Sequence, residues 1–242
     1  MKRTLIVGYV LALALFLFGQ RHPDSSAPAE FHTVVDLTHS IGISALPSEV
    51  ARKSASSPAL FNTRIDAPAH LARGLWTIDQ IPAERLIAPL VVLDVSANVA
   101  NHPDYQISVE DIVRWEQAHN QIPLGSVVLA RTGWDSRWHS ASDYRNADSK
   151  GTMHFPGYSE DAARFLVDAR KVRGLGIDTL NIDYGASKDF PVGRYTLSHS
   201  VYQLESVANL NRAPAVGGML VVAPTKVESG SSGPVRILAL VQ

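Results

Sequence analysis

Asp66 and His70 close the run Leu60-Phe61-Asn62-Thr63-Arg64-Ile65-Asp66-Ala67-Pro68-Ala69-His70. Polar and apolar residues alternate along its first half. Alternation with period two predicts a strand over Phe61 to Ile65, ended by Pro68, which has no N–H for a ladder. The acid and the histidine then stand at the strand's mouth, where a rigid element hands over to the loops that carry chemistry.

The elements that must position this stretch follow from the apolar pattern. Val34 to His39 reads as a first strand, and 41–58, rich in Ser and Ala, as a loop. Thr77 to Ile81 reads as one helical turn stopped by Pro82. Leu90 to Val95 and Ser126 to Arg131 are continuous apolar runs of the kind buried strands carry. Ser108, with Asp111 three residues on, predicts a helix start, and Ile112, Trp115 and Ala118 give that helix an apolar face. Residues 135–158 read as a long surface loop, which in a compact domain is often functional. Ser159 caps a second helix, with Glu160 and Asp161 favourable in its first turn. Further strands are predicted over Gly174 to Asp178, Tyr202 to Val207, Met219 to Ala223 and Val235 to Val241, with Gly230-Ser231-Ser232-Gly233 as the turn before the last. Periodicity supports a mixed α/β domain.

Composition narrows the chemistry. The chain has 242 residues, of which 45% are apolar, enough for one sizeable core. A net charge of −1 gives no electrostatic footprint for nucleic acid or an anionic membrane. With no cysteine, disulfides, thiolate metal sites and a cysteine nucleophile are excluded. Lys2 and Arg3 precede an apolar run from Leu5 to Phe18, the pattern of a secretory signal over 1–19. An uncleaved anchor is the alternative, although a spanning helix wants about 20 apolar residues. Residues 20–31, polar and bearing Pro23 and Pro28, read as a linker to a domain over 32–242. The expected location is secreted or periplasmic, with the membrane reached only through an uncleaved leader.

The central run resembles the signature of the cyclase family of metal-dependent hydrolases, which includes bacterial kynurenine formamidases and isatin hydrolases. That signature is His-x-Gly-Thr-His-x-Asp-x-Pro-x-His; Thr63, Asp66, Pro68 and His70 match it. Asp36 to His39, Thr77 to Pro82, Arg131 to Trp134, Phe155 to Gly157, Gly176 to Thr179, Ile182 to Gly185, Lys188 to Val192, Glu205 to Leu210 and Ser229 to Leu240 are similar to further family landmarks, in order. The resemblance implies a swivelling β/β/α arrangement, a homo-oligomer and a small-molecule substrate. It implies a divalent metal, Zn or Mn, on two histidines and the aspartate of the signature, with a later histidine and glutamate completing the site.

The ligand set departs from that pattern. Leu60 and Arg64 stand where the signature has histidine, and Asn62 replaces its glycine. Glu205 matches the later glutamate, but Gly193, twelve positions before it, stands where the family has its other histidine. Asp66 and Glu205 remain as candidate ligands, and His70 and Glu205 as the candidate proton-transfer pair. Leucine cannot ligate, and arginine is permanently charged with no lone pair to offer. Two carboxylates converging without a metal raise one another's pKa. The guanidinium of Arg64 could take the metal's place and pair with both, or it could point to solvent. No tightly bound cofactor is expected unless the family site survives.

Other residues carry weaker signals. Trp134 is either a wall of the substrate pocket or a core residue, and His154 either lines the pocket or is a loop histidine bonded to backbone. His199 reads either as a relocated metal ligand or, more simply, as an exposed residue, and His39 as structural. No Gly-x-Ser-x-Gly elbow, dinucleotide fingerprint or P-loop occurs. The resemblance implies a secreted, arylformamidase-like hydrolase of formamide or cyclic amide C–N bonds. The substituted ligands imply the alternative, a catalytically silent, metal-free small-molecule binding protein on the same fold.

Overall fold

Apolar residues at successive positions give each central strand two buried faces. Leu90 and Val92 enter one core and Val91 and Leu93 the other; Val127 and Leu129 are separated from Val128 and Ala130 in the same way. That is the pattern of strands covered on both sides. The structure, a computed structural model, describes residues 31–40 and 62–242. The predicted leader over 1–19, most of the linker, the loop over 41–58, Leu60 and the predicted strand start at Phe61 lie outside the described residues.

Eight strands form one mixed sheet: β1 (Thr33–Asp36), β2 (Arg64–Asp66), β3 (Ile87–Asp94), β5 (Val127–Arg131), β7 (Gly174–Ile177), β8 (Tyr202–Glu205), β9 (Gly218–Pro224) and β10 (Ser232–Val241). Two more, β4 (Gln106–Ile107) and β6 (Gly157–Tyr158), make a small parallel pair. The order is β1-β10-β2-β8-β7-β5-β3-β9, and β9 also pairs with β10, so the sheet closes on itself. The run β3-β5-β7-β8 is parallel; β1, β2, β9 and β10 pair antiparallel. One core lies inside the closed sheet, with Ile65, Leu90, Leu129, Leu204 and Ile237. The other lies under the helices, with Leu93, Ile112, Leu166 and Ile177.

The helices are α1 (Ser96–Val99), α2 (Val109–His119), α3 (Ala141–Arg145), α4 (Glu160–Arg164), continued by a wider turn over Phe165–Ala169, and α5 (Pro191–Ser198). Ser108 caps α2 in the reciprocal arrangement with Asp111, and Ser159 caps α4. The segment predicted as a loop over 135–158 contains α3 and β6. Helix α5 had a weak sequence signal, Pro191 at its first position. Val192, Thr196 and Gly193 are poor helix formers, and its first free N–H groups are satisfied from a distance: Asp183 accepts from Val192 and Gly193 at 3.0 and 2.8 Å.

Candidate functional site

Register brings the candidate residues onto one face. Strand β2 lies between β8 and β10, with Arg64 opposite Glu205 and Asp66 opposite both Gln203 and Ser232. Directly paired residues of an antiparallel ladder have Cβ atoms about 5 Å apart, so charges at these positions must answer each other. The intervening residues Ile65 and Leu204 point into the inner core and fix which way the polar set faces.

Arg64 points at both carboxylates rather than into solvent. Its Nη2 lies 3.4 Å from Asp66 Oδ1 and its Nε 3.8 Å from Glu205 Oε2. The guanidinium side chain is 35% exposed, the two carboxylate side chains 7% and 4%. Arg64 also donates to Ser232 Oγ, which donates in turn to Asp66 Oδ1. Burial, and then the neighbouring Asp66, push the Glu205 carboxyl well above the ordinary carboxylate range, with Arg64 opposing them in part. Glu205 Oε1 and Arg64 Nε are buried without hydrogen-bond partners.

His70 ends the single turn Pro68–His70 that follows β2. Its Nε2 lies 3.7 Å from Asp66 Oδ2. Asp66 and His70 line a cavity of about 150 Å³ with Asp183, Phe190, Gly193 and Gln203. Gly193 therefore does face Asp66 across a common space. It sits inside α5 with no left-handed φ, and a Cβ there would meet Asp183 Oδ2 at 3.2 Å.

Trp134 and His154 are not among the residues lining this cavity. Trp134 is 2% exposed, and its indole N–H donates to the Tyr144 carbonyl at 2.8 Å. Its backbone N–H joins those of Thr132 and Gly133 on the Asp178 carboxylate. It is a core residue that anchors a turn. His154 is drawn to the surface by Asp104, 2.7 Å from its Nδ1, which raises its pKa above the usual histidine value. His199 is bonded to its own helix through Tyr195. His39 stacks on Trp138 at 3.8 Å between ring centroids, and burial lowers its pKa to about 4. Sequence reasoning missed Asp183, Gln203 and Ser232. Gln203, two residues before Glu205 on a strand, was readable from period two; Asp183 and Ser232 reach the site only through long-range pairing.

Comparison with known proteins now settles the family. The family model described as "Putative cyclase" matches residues 35–184. The chain belongs to the cyclase family. It is 36% identical over 187 residues to an isatin hydrolase from Roseibium aggregatum, covering 74% of this chain and 70% of that one. It is 26% identical over 174 residues to a kynurenine formamidase from Salinibacter ruber, covering 72% of each. The solved isatin hydrolase A from Ralstonia solanacearum superposes with a TM-score of 0.76 at 34% identity, over 87% of this chain and 92% of that one.

The cyclase family implies a divalent metal, and the residues present here do not fit one. Such an ion needs several N or O donors converging at about 2.0–2.2 Å. Between the two carboxylates lies a guanidinium, a permanent cation with no lone pair. Gly193 has no side chain to offer, and leucine at 60 has no donor atom. Among the described residues, no group of three or more His, Asp or Glu is placed to hold an ion. What the arrangement can do is hold charge and move protons. It offers a fixed positive group, a pair of buried carboxyl groups, and a partly exposed histidine beside the cavity.

Proposed function

We propose that the protein hydrolyses the C–N bond of a small formamide or cyclic amide, as an arylformamidase-like member of the cyclase family in which Arg64 stands in for the metal. The observation that carries this reading is the pairing of Arg64 with Asp66 and Glu205 beside His70 and its cavity. The relatives named isatin hydrolase and kynurenine formamidase support the reaction class.

The roles follow from position. Asp66 orients the His70 ring, and His70 takes the proton of the attacking oxygen. Arg64 places positive charge beside the region where the carbonyl oxygen becomes an oxyanion. Glu205, its carboxyl pushed by burial well above the ordinary carboxylate range, is the second proton-transfer group of the site. The small cavity suits a compact substrate.

A second reading is ligand binding without turnover. It is favoured by one observation: Arg64 already serves two carboxylates, which leaves less of its charge for a transition state. The test is turnover of N-formylkynurenine and of isatin by protein treated with a chelator, followed by absorbance. Turnover that survives chelation is the expected result. Saturable binding without turnover moves the protein to the second reading, and turnover that appears only with added Zn or Mn overturns the substitution of Arg64 for a metal.

The leader over 1–19, the linker over 20–31 and the domain over 32–242 belong to the same proposal, with secretion or a periplasmic location as its consequence. N-terminal sequencing of exported protein checks it; an intact Met1 refutes cleavage. A homo-oligomer is the proposed assembly, checked by light scattering.

A further inference from the structure

The hydrolase reading leaves one question open at the site: which oxygen His70 deprotonates. A free water is a poor nucleophile until a metal lowers its pKa, and the residues here do not suit a metal. The structure offers a fixed hydroxyl instead. Ser231 Oγ lies 3.4 Å from His70 Nδ1. The other nitrogen of the same ring, Nε2, lies 3.7 Å from Asp66 Oδ2. Ala67 donates its backbone N–H to the Ser231 carbonyl at 2.9 Å, which pins the serine against the turn that carries His70. Asp66 Oδ1 is already engaged by Ser232, so Oδ2 is the oxygen turned to the imidazole.

The geometry points to Ser231 as the nucleophile of a serine–histidine–aspartate relay formed by Ser231, His70 and Asp66. The inference rests on the hydrolase reading above and deepens it. Such relays are defined by roles and distances, not by sequence order. This one lacks the strand-to-helix elbow because its serine precedes strand β10 and not a helix. Asp66 selects the tautomer with hydrogen on Nε2, which leaves the Nδ1 lone pair for the Ser231 hydroxyl. Both contacts are longer than a working hydrogen bond, as such contacts commonly are before substrate closes the site. A hydroxyl already held beside its base needs no capture and orientation of a free water in the first step.

The steps balance. Ser231 Oγ attacks the carbonyl carbon while its proton passes to His70 Nδ1. The C–N bond breaks as His70 returns that proton to the leaving nitrogen, giving an acyl ester on Ser231 and a free amine. Water then attacks the ester carbon and gives a proton to His70, and the proton returns to Ser231 Oγ as the acid departs. A formamide yields formate and an amine. Arg64, hydrogen-bonded to the adjacent Ser232, places its charge beside the acyl-transfer centre.

A fluorophosphonate probe on the full chain, with peptide mapping of the adduct, tests the assignment directly. The label is expected on Ser231. It should vanish in Ser231→Ala, fall about tenfold or more in His70→Gln, and persist in Ser229→Ala, whose exposed serine is outside the relay. Rapid quenching with p-nitrophenyl formate should leave the unaltered protein heavier by one formyl group, and Ser231→Ala unchanged. No adduct at Ser231, or one indifferent to His70→Gln, overturns the relay. Undiminished N-formylkynurenine turnover in Ser231→Ala assigns the attack to water and overturns the relay, with the hydrolase reading intact. A His70-dependent adduct on Ser231 without turnover of either amide upholds the relay and sinks the amide reading instead.

Discussion

Asp178, just past the end of β7, and Glu205, at the end of neighbouring β8, are both buried carboxylates, and the fold treats them in opposite ways. Asp178 accepts from the backbone N–H groups of Thr132, Gly133 and Trp134 and from the Thr132 hydroxyl at 2.6 Å. Glu205 leaves Oε1 without a hydrogen bond, and its charge partner Arg64 is 3.8 Å away. The first is what a stable fold does with a buried acid: every lone pair facing a donor finds one. The second is a local exception, and such exceptions gather where a ligand is to be met. The difference teaches which acid to assign to stability and which to chemistry, although both lie within family landmarks in the sequence.

The largest effect should come from removing the well-satisfied acid. Asp178→Ala orphans several buried donors at once and should lower unfolding stability by about 4 kcal/mol, read from urea midpoints. A loss under about 1 kcal/mol would erase the contrast.

Rebuilding the family's ligands should come next. Leu60→His, Arg64→His and Gly193→His together should bind Zn by calorimetry at least about 100-fold more tightly than the unaltered chain, because the added histidines join Asp66 and Glu205. Among single changes Arg64→His should matter most, since it removes a cation and adds a ligand. The histidine at 193 meets no backbone strain, contrary to what a relaxed glycine loop would impose; it needs Asp183 to yield a few tenths of an ångström. Binding no tighter than in the unaltered protein would mean that the pocket has drifted from the family's geometry.

Arg64→Leu should separate the two sites by readout. Turnover of N-formylkynurenine should fall about 100-fold, while stability falls by only about 1–2 kcal/mol, because the guanidinium is a third exposed and screened. Equal turnover would remove Arg64 from the chemistry.

A subtler test uses pH. Burial raises the Asp178 carboxyl to about 7, against the pull of its donors. The folded state therefore holds that proton where the unfolded chain has released it. The contribution is full below pH about 4 and declines as pH rises toward about 7. Asp178→Asn should flatten that segment of the stability profile while lowering it overall; an unchanged slope would place the titration elsewhere. The smallest effect belongs to His154→Ala, which should leave turnover unaltered, since that ring is held at the surface by Asp104.

Local signals were legible where the physics is local. Ser108 with Asp111, and Ser159 ahead of an acidic first turn, predicted two helix starts that the structure contains. The apolar runs that became β3, β5 and β7 were visible because strands buried on both faces must be apolar throughout, whereas β9 and β10 bury alternate residues. The boundaries of β1 and β8 were read too long: both chains leave their ladders early, β1 after Asp36 and β8 after Glu205. Helix α5 was missed because its cap, Asp183, lies outside the segment itself.

By itself the sequence determined the family, the identity of the missing ligands and the presence of an acid, an arginine and a histidine within seven residues, because those facts depend on residue type and spacing along the chain. Only the tertiary structure decided where the Arg64 charge goes, that Gly193 shares a cavity with Asp66, that Trp134 and His154 serve elsewhere, and that Ser231 and Ser232 meet the site. The placement of Arg64, Ser231 and Ser232 depends on strand register between β2, β8 and β10, and that of Gly193, Trp134 and His154 on long-range contacts of their own segments. Register is set by packing every core face at once, and a slip of one residue would send the same side chains to the opposite face.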